Sequence, residues 1–116
     1  MIFSDPVKSL DISQPAEGID AIQEIDYHNI KKAAVILRAF NNKLRQQVIK
    51  KIRENIRLTV TQLYINLRLE QSVASQHLAI LRKAGIVSAE RDGKFIFYTI
   101  NSRRIDGINK FVKNLV

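Results

Sequence analysis

The stretch EQSVASQHLAILRKAG, residues 70–85, predicts a helix with two very different faces. At about 100° per residue, its apolar residues and His77 gather on one broad side. The other side offers short polar groups and two cations, with no acid: Gln71, Ser72, Ser75, Gln76, Ala79, Arg82 and Lys83. Most surface helices carry Glu and Lys on this side. Small polar groups instead let a helix enter the major groove of DNA, where they can meet base edges and phosphates.

Several residues of this helix have a second interpretation. Ser72 lies in the first turn, where its hydroxyl could cap the helix. His77 points toward the core in this projection, and we predict that it is packed and hydrogen-bonded. Arg82 and Lys83 could be solvated charges that complement the helix C-terminus. Ser75 lies further in, where serine weakens a helix slightly, so a contact with a partner explains it better.

A shorter helix and a tight turn are predicted before this helix. The tetrapeptide TVTQ, residues 59–62, fits a capping box, and Leu63 and Leu67 give the following helix an inner face. Residues 68–70 form the turn. Gly85 ends the second helix by tolerating a left-handed backbone. A short helix, a tight turn and a second helix make a helix-turn-helix.

A β-hairpin is predicted after the helix-turn-helix. In IVSAERDGKFIFYTI, residues 86–100, Asp92 and Gly93 lie between two β-prone runs and predict the turn. Arg91 and Lys94 flank the tip. A basic turn is common on any protein surface. Its position one strand after a helix-turn-helix favours a wing that reaches phosphates beside the helix.

The segments before the helix-turn-helix are also predicted to be helical. A helical rhythm begins at Ile19, and two alternatives are open: one helix that continues to Phe40, or a new helix capped by Asp26. Asn42 is the predicted cap of the next helix. The buried face of that helix is predicted to carry Val48, Ile49 and Ile52.

The last predicted helix, capped by Asn101 or Ser102, has an apolar stripe. Its members are Ile105, Ile108, Phe111, Val112 and Leu115. This is more apolar surface than one small domain needs. We therefore predict that the stripe packs, together with the first helix, against a second copy of the chain.

Charge is distributed unevenly along the chain, which has 19 bases and 11 acids. Residues 1–26 hold six acids and one base, Lys8, which leaves 18 bases and five acids over residues 27–116, a net charge of +13 there. So basic a domain repels itself, which indicates a polyanionic partner. General solubility is the alternative explanation.

Length and composition bound the organisation. At 116 residues the chain is one domain. Residues 1–18, with Pro6, Pro15 and Gly18, are predicted to be a tail or a loosely docked arm, and residues 19–116 to be the folded domain. No segment has the apolar length of a signal peptide or a membrane span, so we expect a cytoplasmic protein without a membrane partner.

The residue content argues against cysteine-based sites and against an enzyme. The chain has no cysteine, which excludes disulfides, thiolate metal sites and cysteine nucleophiles. Its two histidines and the few acids after Tyr27 leave no convincing nucleophile–base pair. The sequence therefore predicts that the protein is not an enzyme.

The order of these elements resembles the ArsR/SmtB family of winged-helix transcriptional regulators. Three stretches carry the resemblance: ILRAFNNKLRQQVI, LRLEQSVASQHLAILRKAGIV, which is the specific one, and RDGKFIFYTI. The resemblance implies a mainly α winged helix-turn-helix fold with a small β-hairpin, dimeric through its first and last helices. It also implies a symmetric operator and, usually, repression relieved by a ligand.

The chain departs from the family at its metal sites. Many members carry a cysteine pair where this chain has Thr59 and Thr61. Others bind zinc through Asp, His and Glu on the last helix, where this chain offers only Asp106 and no histidine. Arg68 and Glu70 also replace residues that are usually glycine and serine. The resemblance therefore covers the DNA-binding half of the family and not its metal sensor, and we predict no metal and no cofactor.

The leading hypothesis is a dimeric, sequence-specific regulator, most consistent with a repressor, that binds double-stranded DNA. Predicted groove contacts are Gln71, Ser72, Ser75 and Gln76, and predicted phosphate contacts are Thr61, Gln62, Arg91 and Lys94. The alternative is a winged helix kept as a protein-interaction module with no operator of its own. The basic excess and the acid-free helix face argue against that alternative.

Overall fold

Over residues 24–116, which a computed structural model describes, the protein forms five helices and one three-stranded antiparallel sheet. In chain order the elements are α1 (Tyr27–Phe40), α2 (Lys43–Asn55), β1 (Arg57–Thr59), α3 (Val60–Leu67), α4 (Gln71–Lys83), β2 (Val87–Asp92), β3 (Phe95–Ile100) and α5 (Ser102–Leu115). The mainly α fold with a small hairpin is confirmed. The predicted tail at residues 1–18 and the predicted helical rhythm over residues 19–23 lie outside the described residues.

The first two helices begin at predicted caps. The Asp26 carboxylate accepts a hydrogen bond from the backbone N–H of Asn29 at 3.0 Å, and residues 24–26 are not helical. Of the two alternatives, the described residues therefore show a helix that starts after Asp26. The Asn42 side chain accepts from the backbone N–H of Arg45 at 2.9 Å and caps α2. The predicted inner residues of α2 are buried: Val48, Ile49 and Ile52.

Strand β3 is the middle strand of the sheet, between β1 and β2. Strand β1, directly before α3, pairs with β3 so that Leu58 lies opposite Tyr98. The sequence did not predict this pairing. Because of it, the root of the hairpin is attached to the segment that leads into the helix-turn-helix.

The hairpin is confirmed, but its predicted turn is wrong by one residue. Asp92 pairs with Phe95, so Gly93 and Lys94 form the turn. Gly93 has φ +65°, and Lys94 does not have a positive φ. A type II′ turn needs a positive φ only at its first central residue, so one glycine placed there is sufficient.

The core lies between α2, α3, α4 and the sheet. Its largest fully buried side chains are Ile52, Leu63, Leu78, Leu81, Ile86 and Val48. Among the described residues, no polar or charged residue is buried. Each buried Leu or Ile contributes about 1.5–3 kcal/mol relative to an exposed one. The inner face of α4 is thus held by the core, which fixes the direction in which its outer face points.

The first turn of α5 is bonded to the end of α4. Gly85 has φ +78°, as its predicted role as a helix terminator requires. Its carbonyl accepts from the Asn101 amide at 3.1 Å, and the Ala84 carbonyl accepts from Arg104 Nε at 3.2 Å. Asn101 also caps α5 by accepting from the Arg104 backbone N–H at 3.2 Å. These contacts satisfy carbonyl groups that a helix end leaves without a partner.

Candidate nucleic-acid interface

The turn between α3 and α4 is held by local hydrogen bonds. In the predicted capping box, Thr59 Oγ1 accepts from the Gln62 backbone N–H at 3.1 Å, and the Thr59 N–H donates to Gln62 Oε1 at 3.0 Å. Arg68 ends α3 in the left-handed conformation, with φ 56° and ψ 47°. The Leu69 N–H then donates to the Tyr64 carbonyl at 2.9 Å. A non-glycine residue in this conformation costs roughly 1–2 kcal/mol, so the turn forms despite the departure at Arg68.

The two predicted faces of α4 are confirmed. The inner face buries Ala74, Leu78 and Leu81. The outer face is exposed along the whole helix at Gln71, Ser72, Ser75, Gln76, Ala79, Arg82 and Lys83. The residue before the helix, Glu70, holds the N-cap position without a side-chain hydrogen bond. Ser72 lies inside the helix and does not supply the cap, so the capping alternative for Ser72 is wrong.

The predicted phosphate contacts lie on two different elements. Thr61 and Gln62 are exposed in the first turn of α3, and Arg91 and Lys94 are exposed at the tip of the hairpin. Gln62 is partly committed, because its Oε1 belongs to the capping box. Its amide NH₂ is the group that remains for a phosphate oxygen. The Lys94 ammonium lies 5.6 Å from the centre of the Phe95 ring, within the range of a cation–π contact.

Arg57, on β1, contacts both strands of the hairpin, and the sequence did not predict these contacts. Its Nη1 lies 3.2 Å from Asp92 Oδ2, and its guanidinium carbon lies 3.8 Å from the centre of the Phe97 ring. Both members of the ion pair are substantially exposed, at 44% and 62% of their side chains, so the pair itself contributes little stability. The stacked guanidinium nevertheless covers an aromatic ring on the middle strand.

His77 is packed and hydrogen-bonded, as predicted, and its partner Arg45 was missed. Arg45 Nη1 lies 3.3 Å from His77 Nδ1. The same guanidinium donates to the Ala39 carbonyl at 2.7 Å and to the Arg38 carbonyl at 3.1 Å. Partial burial lowers the pKa of His77 from its ordinary 6.5, and the Arg45 charge lowers it further. Arg45 therefore connects the end of α1 with α4 and favours a neutral imidazole.

The predicted dimer stripe lies on a helix that buries none of its residues. Ile105, Ile108 and Val112 are half-buried, whereas Phe111 is 48% exposed and Leu115 is 61% exposed. Helix α1 adds exposed apolar residues, Ile30 at 55% and Val35 at 47%. A cleft of about 530 Å³ lies between the two helices.

No group of three or more His, Cys, Asp or Glu side chains that could hold a metal ion occurs in the part of the chain that the structure describes. Over the same residues, no helix is both long enough and apolar enough to span a membrane.

Known regulators share this arrangement. The sequence model of the family described as "Bacterial regulatory protein, arsR family" matches residues 42–89, from the cap of α2 into β2. A 94-residue stretch is 35% identical to the transcriptional activator HlyU of Vibrio cholerae, covering 81% of this chain and 85% of that protein. This chain belongs to the ArsR/SmtB family.

Solved structures of similar regulators have the same ArsR/SmtB winged-helix fold. The crystal structure of the transcriptional repressor PagR of Bacillus anthracis matches with a TM-score of 0.61 and 30% identity, covering 75% of this chain and 99% of that one. NolR from Sinorhizobium fredii matches with a TM-score of 0.62 and 30% identity, covering 81% of this chain and 93% of that one.

Members of this family are transcriptional regulators and not enzymes, which confirms the prediction that this protein is not an enzyme. One similar protein is named an activator and another a repressor. The direction of regulation therefore differs among its relatives.

Proposed function

We propose that this protein is a dimeric, sequence-specific DNA-binding repressor without a resident metal. The observation that carries the proposal is α4, whose inner face is held by the core while its outer face is exposed and free of acid. The net charge of +13 over residues 27–116 favours a polyanion as the partner of that face. Repression is the proposed direction because the family resemblance implies it and PagR is named a repressor.

Two groups of residues divide the work of binding in this proposal. Base edges in the major groove meet Gln71, Ser72, Ser75 and Gln76. Phosphates meet Thr61, Gln62, Arg91 and Lys94. Phosphate contacts supply affinity and its salt dependence, whereas base contacts supply sequence preference.

The proposed dimer forms through α1 and α5. Its support is the exposed apolar surface on both helices, since large apolar patches on a small protein mark interaction sites. A two-fold dimer would present two copies of α4 to the two halves of a symmetric operator. In this proposal, residues 1–18 form an arm and residues 19–116 form the DNA-binding and dimerisation domain. The proposed location of the protein is the cytoplasm.

The proposed absence of a resident metal rests on donor chemistry. Thr59 and Thr61 stand where many family members have thiolates, and threonine is not a zinc ligand of that kind. On α5, Asp106 is paired with Lys110 at 3.4 Å and has no histidine beside it on the helix. Calorimetric titration should detect no stoichiometric submicromolar zinc complex. A complex of that kind that also released DNA would contradict this part of the proposal.

The decisive experiment is binding to genomic DNA fragments at several salt concentrations. We expect the logarithm of the binding constant to fall linearly with the logarithm of salt concentration. We also expect a subset of fragments to be retained in the presence of excess random DNA. Binding with no sequence preference would reduce the protein to a non-specific DNA binder. No DNA binding at any salt concentration would favour the protein-interaction module instead.

A further inference from the structure

A second cleft lies between the outer face of α4 and the sheet. Its volume is about 460 Å³, and it is lined by Val60, Ser75, Ala79, Arg82, Lys83 and Tyr98. On α4, Ser75, Ala79 and Lys83 follow one another at intervals of four, and Arg82 is three positions after Ala79, so these residues lie along one side of the helix. Val60, at the start of α3, and Tyr98, on β3, complete the lining. The cleft therefore joins the helix-turn-helix to the root of the wing.

The chemistry of this cleft is apolar inside and cationic at its edge. Val60 and Tyr98 are half-buried and pack against the core. Arg82 and Lys83 are exposed, and the ion pairs among the described residues include neither of them. The lining contains no acid. Two cations without an acidic neighbour in the lining favour an anionic occupant.

The cleft between α1 and α5 provides a contrast. Its lining includes Arg103 and Arg104, so it also has two cations. The Arg104 guanidinium, however, donates to the Ala84 carbonyl and holds the start of α5 against α4. Arg104 thus has a structural partner, whereas the cations beside α4 lie on the surface that is predicted to face DNA.

We infer that the cleft beside α4 holds one phosphodiester group of a DNA strand. The deoxyribose packs on the apolar lining, while the phosphate oxygens accept from Arg82 and Lys83. The hydroxyl of Tyr98 adds an uncharged donor. This inference rests on the proposed function. It deepens that function by dividing α4 into a first half that reads bases and a second half that holds the backbone.

Three arguments favour a DNA strand as the occupant. The cations complement the charge of a phosphate. The cleft is continuous with the predicted base-reading surface, since Ser75 belongs to both. An apolar wall beside a charged edge matches the alternation of sugar and phosphate along a strand.

The first test removes the two charges. Arg82→Gln and Lys83→Gln keep a good helix former at exposed positions, so both variants should fold. A selected duplex is one that the native chain retains in the presence of excess random DNA. Each variant should weaken binding to a selected duplex and to a random duplex by equal factors, on the order of tenfold. The double variant, which loses this single phosphate contact, should lower the slope of log K against log salt by about one unit. The control Lys113→Gln removes the same charge from an exposed position near the end of α5 and should change affinity by less than about twofold.

The second test locates the phosphate on the DNA. One phosphate at a time in the selected duplex is replaced by an uncharged methylphosphonate, and binding to the native chain and to the Arg82→Gln, Lys83→Gln double variant is compared. At one phosphate position in each half-site, the methylphosphonate should lower the affinity of the native chain. The same replacement should not lower the affinity of the double variant any further. Tyr98→Phe should weaken binding a few-fold without changing the salt slope, because the ring remains and only an uncharged donor is lost.

These tests separate the inference from the proposed function. If the native chain binds DNA with strong salt dependence but the double variant keeps both affinity and slope, the cleft does not hold a phosphate and the proposed function survives. The same conclusion follows if every methylphosphonate replacement lowers the affinity of the native chain and of the double variant by the same factor. If the native chain binds no duplex, the proposed function itself fails, and the inference fails with it.

Discussion

Helices α4 and α5 are nearly equal in length, at 13 and 14 residues, but they use their apolar faces in opposite ways. The apolar face of α4 is filled from within the chain, and polar side chains remain outside. Apolar residues recur along all of α5, yet none of them is buried. A helix whose apolar side is already covered can recognise a polar partner, whereas a helix whose apolar side is open requires an apolar one. The chemistry of the face that remains exposed therefore indicates the kind of partner.

The largest expected effect comes from placing a charge on the open face of α5. Phe111→Glu should dissociate the proposed dimer, because each copy would have to desolvate an ionised carboxylate without a partner, at a cost of about 3–5 kcal/mol. Sedimentation equilibrium at micromolar concentration should show a dimer for the native chain and a monomer for the variant. Asn114→Glu adds the same charge away from the apolar stripe and should remain dimeric. A native chain that is monomeric under these conditions would remove the contrast between the two helices.

The next effect tests the filled face of α4. Leu78 is 1% exposed, and Leu78→Ala should lower the free energy of unfolding by about 2–5 kcal/mol through lost burial and the cavity left behind. Ile80 belongs to the same helix and is 37% exposed. Ile80→Ala should therefore cost less than about 1 kcal/mol. Urea denaturation measures both values, and equal losses would mean that α4 is not anchored on one side.

A smaller effect distinguishes base reading from phosphate contact on the polar side. Gln76→Ala should cost about 1–3 kcal/mol on a selected site, relax preference at one base position and leave the salt slope nearly unchanged. Arg91→Ala and Lys94→Ala should instead weaken binding to any duplex by similar factors and lower the slope by about one unit each. If Gln76→Ala reduces specific and random binding equally, the outer face of α4 does not read sequence.

The smallest effect is the pH dependence of the contact between α2 and α4. The pKa of His77 is lowered in the folded protein, so between that pKa and 6.5 the unfolded chain binds more protons. Stability should therefore decrease as the pH falls below about 6.5 and level off below the folded pKa. Denaturant titrations near pH 7.5 and at several pH values below about 6.5 should show a smaller pH effect for His77→Gln than for the native chain. An identical pH dependence would show that His77 does not contribute.

Elements whose signals are local could be predicted from the sequence. The bounds of α4 follow from its helical period, the tight turn before it and the glycine after it, and the caps at Asp26, Asn42 and Thr59 follow from residues only three positions apart. The two faces of α4 follow from the same period. These features depend on short-range sterics and hydrogen bonds, which a single sequence displays directly.

Contacts between distant residues could not be predicted in this way. Arg57 and Asp92 are 35 positions apart, and Arg45 and His77 are 32 apart. No periodic pattern marks either pair. The pairing of β1 with β3 and the one-residue shift of the hairpin turn depend on strand register, which the tertiary structure decides. The cleft beside α4 needs three elements in place before its lining exists.

The bond between the start of α5 and the end of α4 has a geometric consequence. In the proposed dimer, α5 fixes the two-fold axis, and Asn101 and Arg104 fix the angle at which α4 leaves it. Dimeric helix-turn-helix proteins meet half-sites about 34–36 Å apart, one turn of DNA, or a multiple of that distance. In the proposed dimer, these two hydrogen bonds therefore set the distance between the half-sites that one dimer can bind. That distance does not depend on which bases each half-site contains.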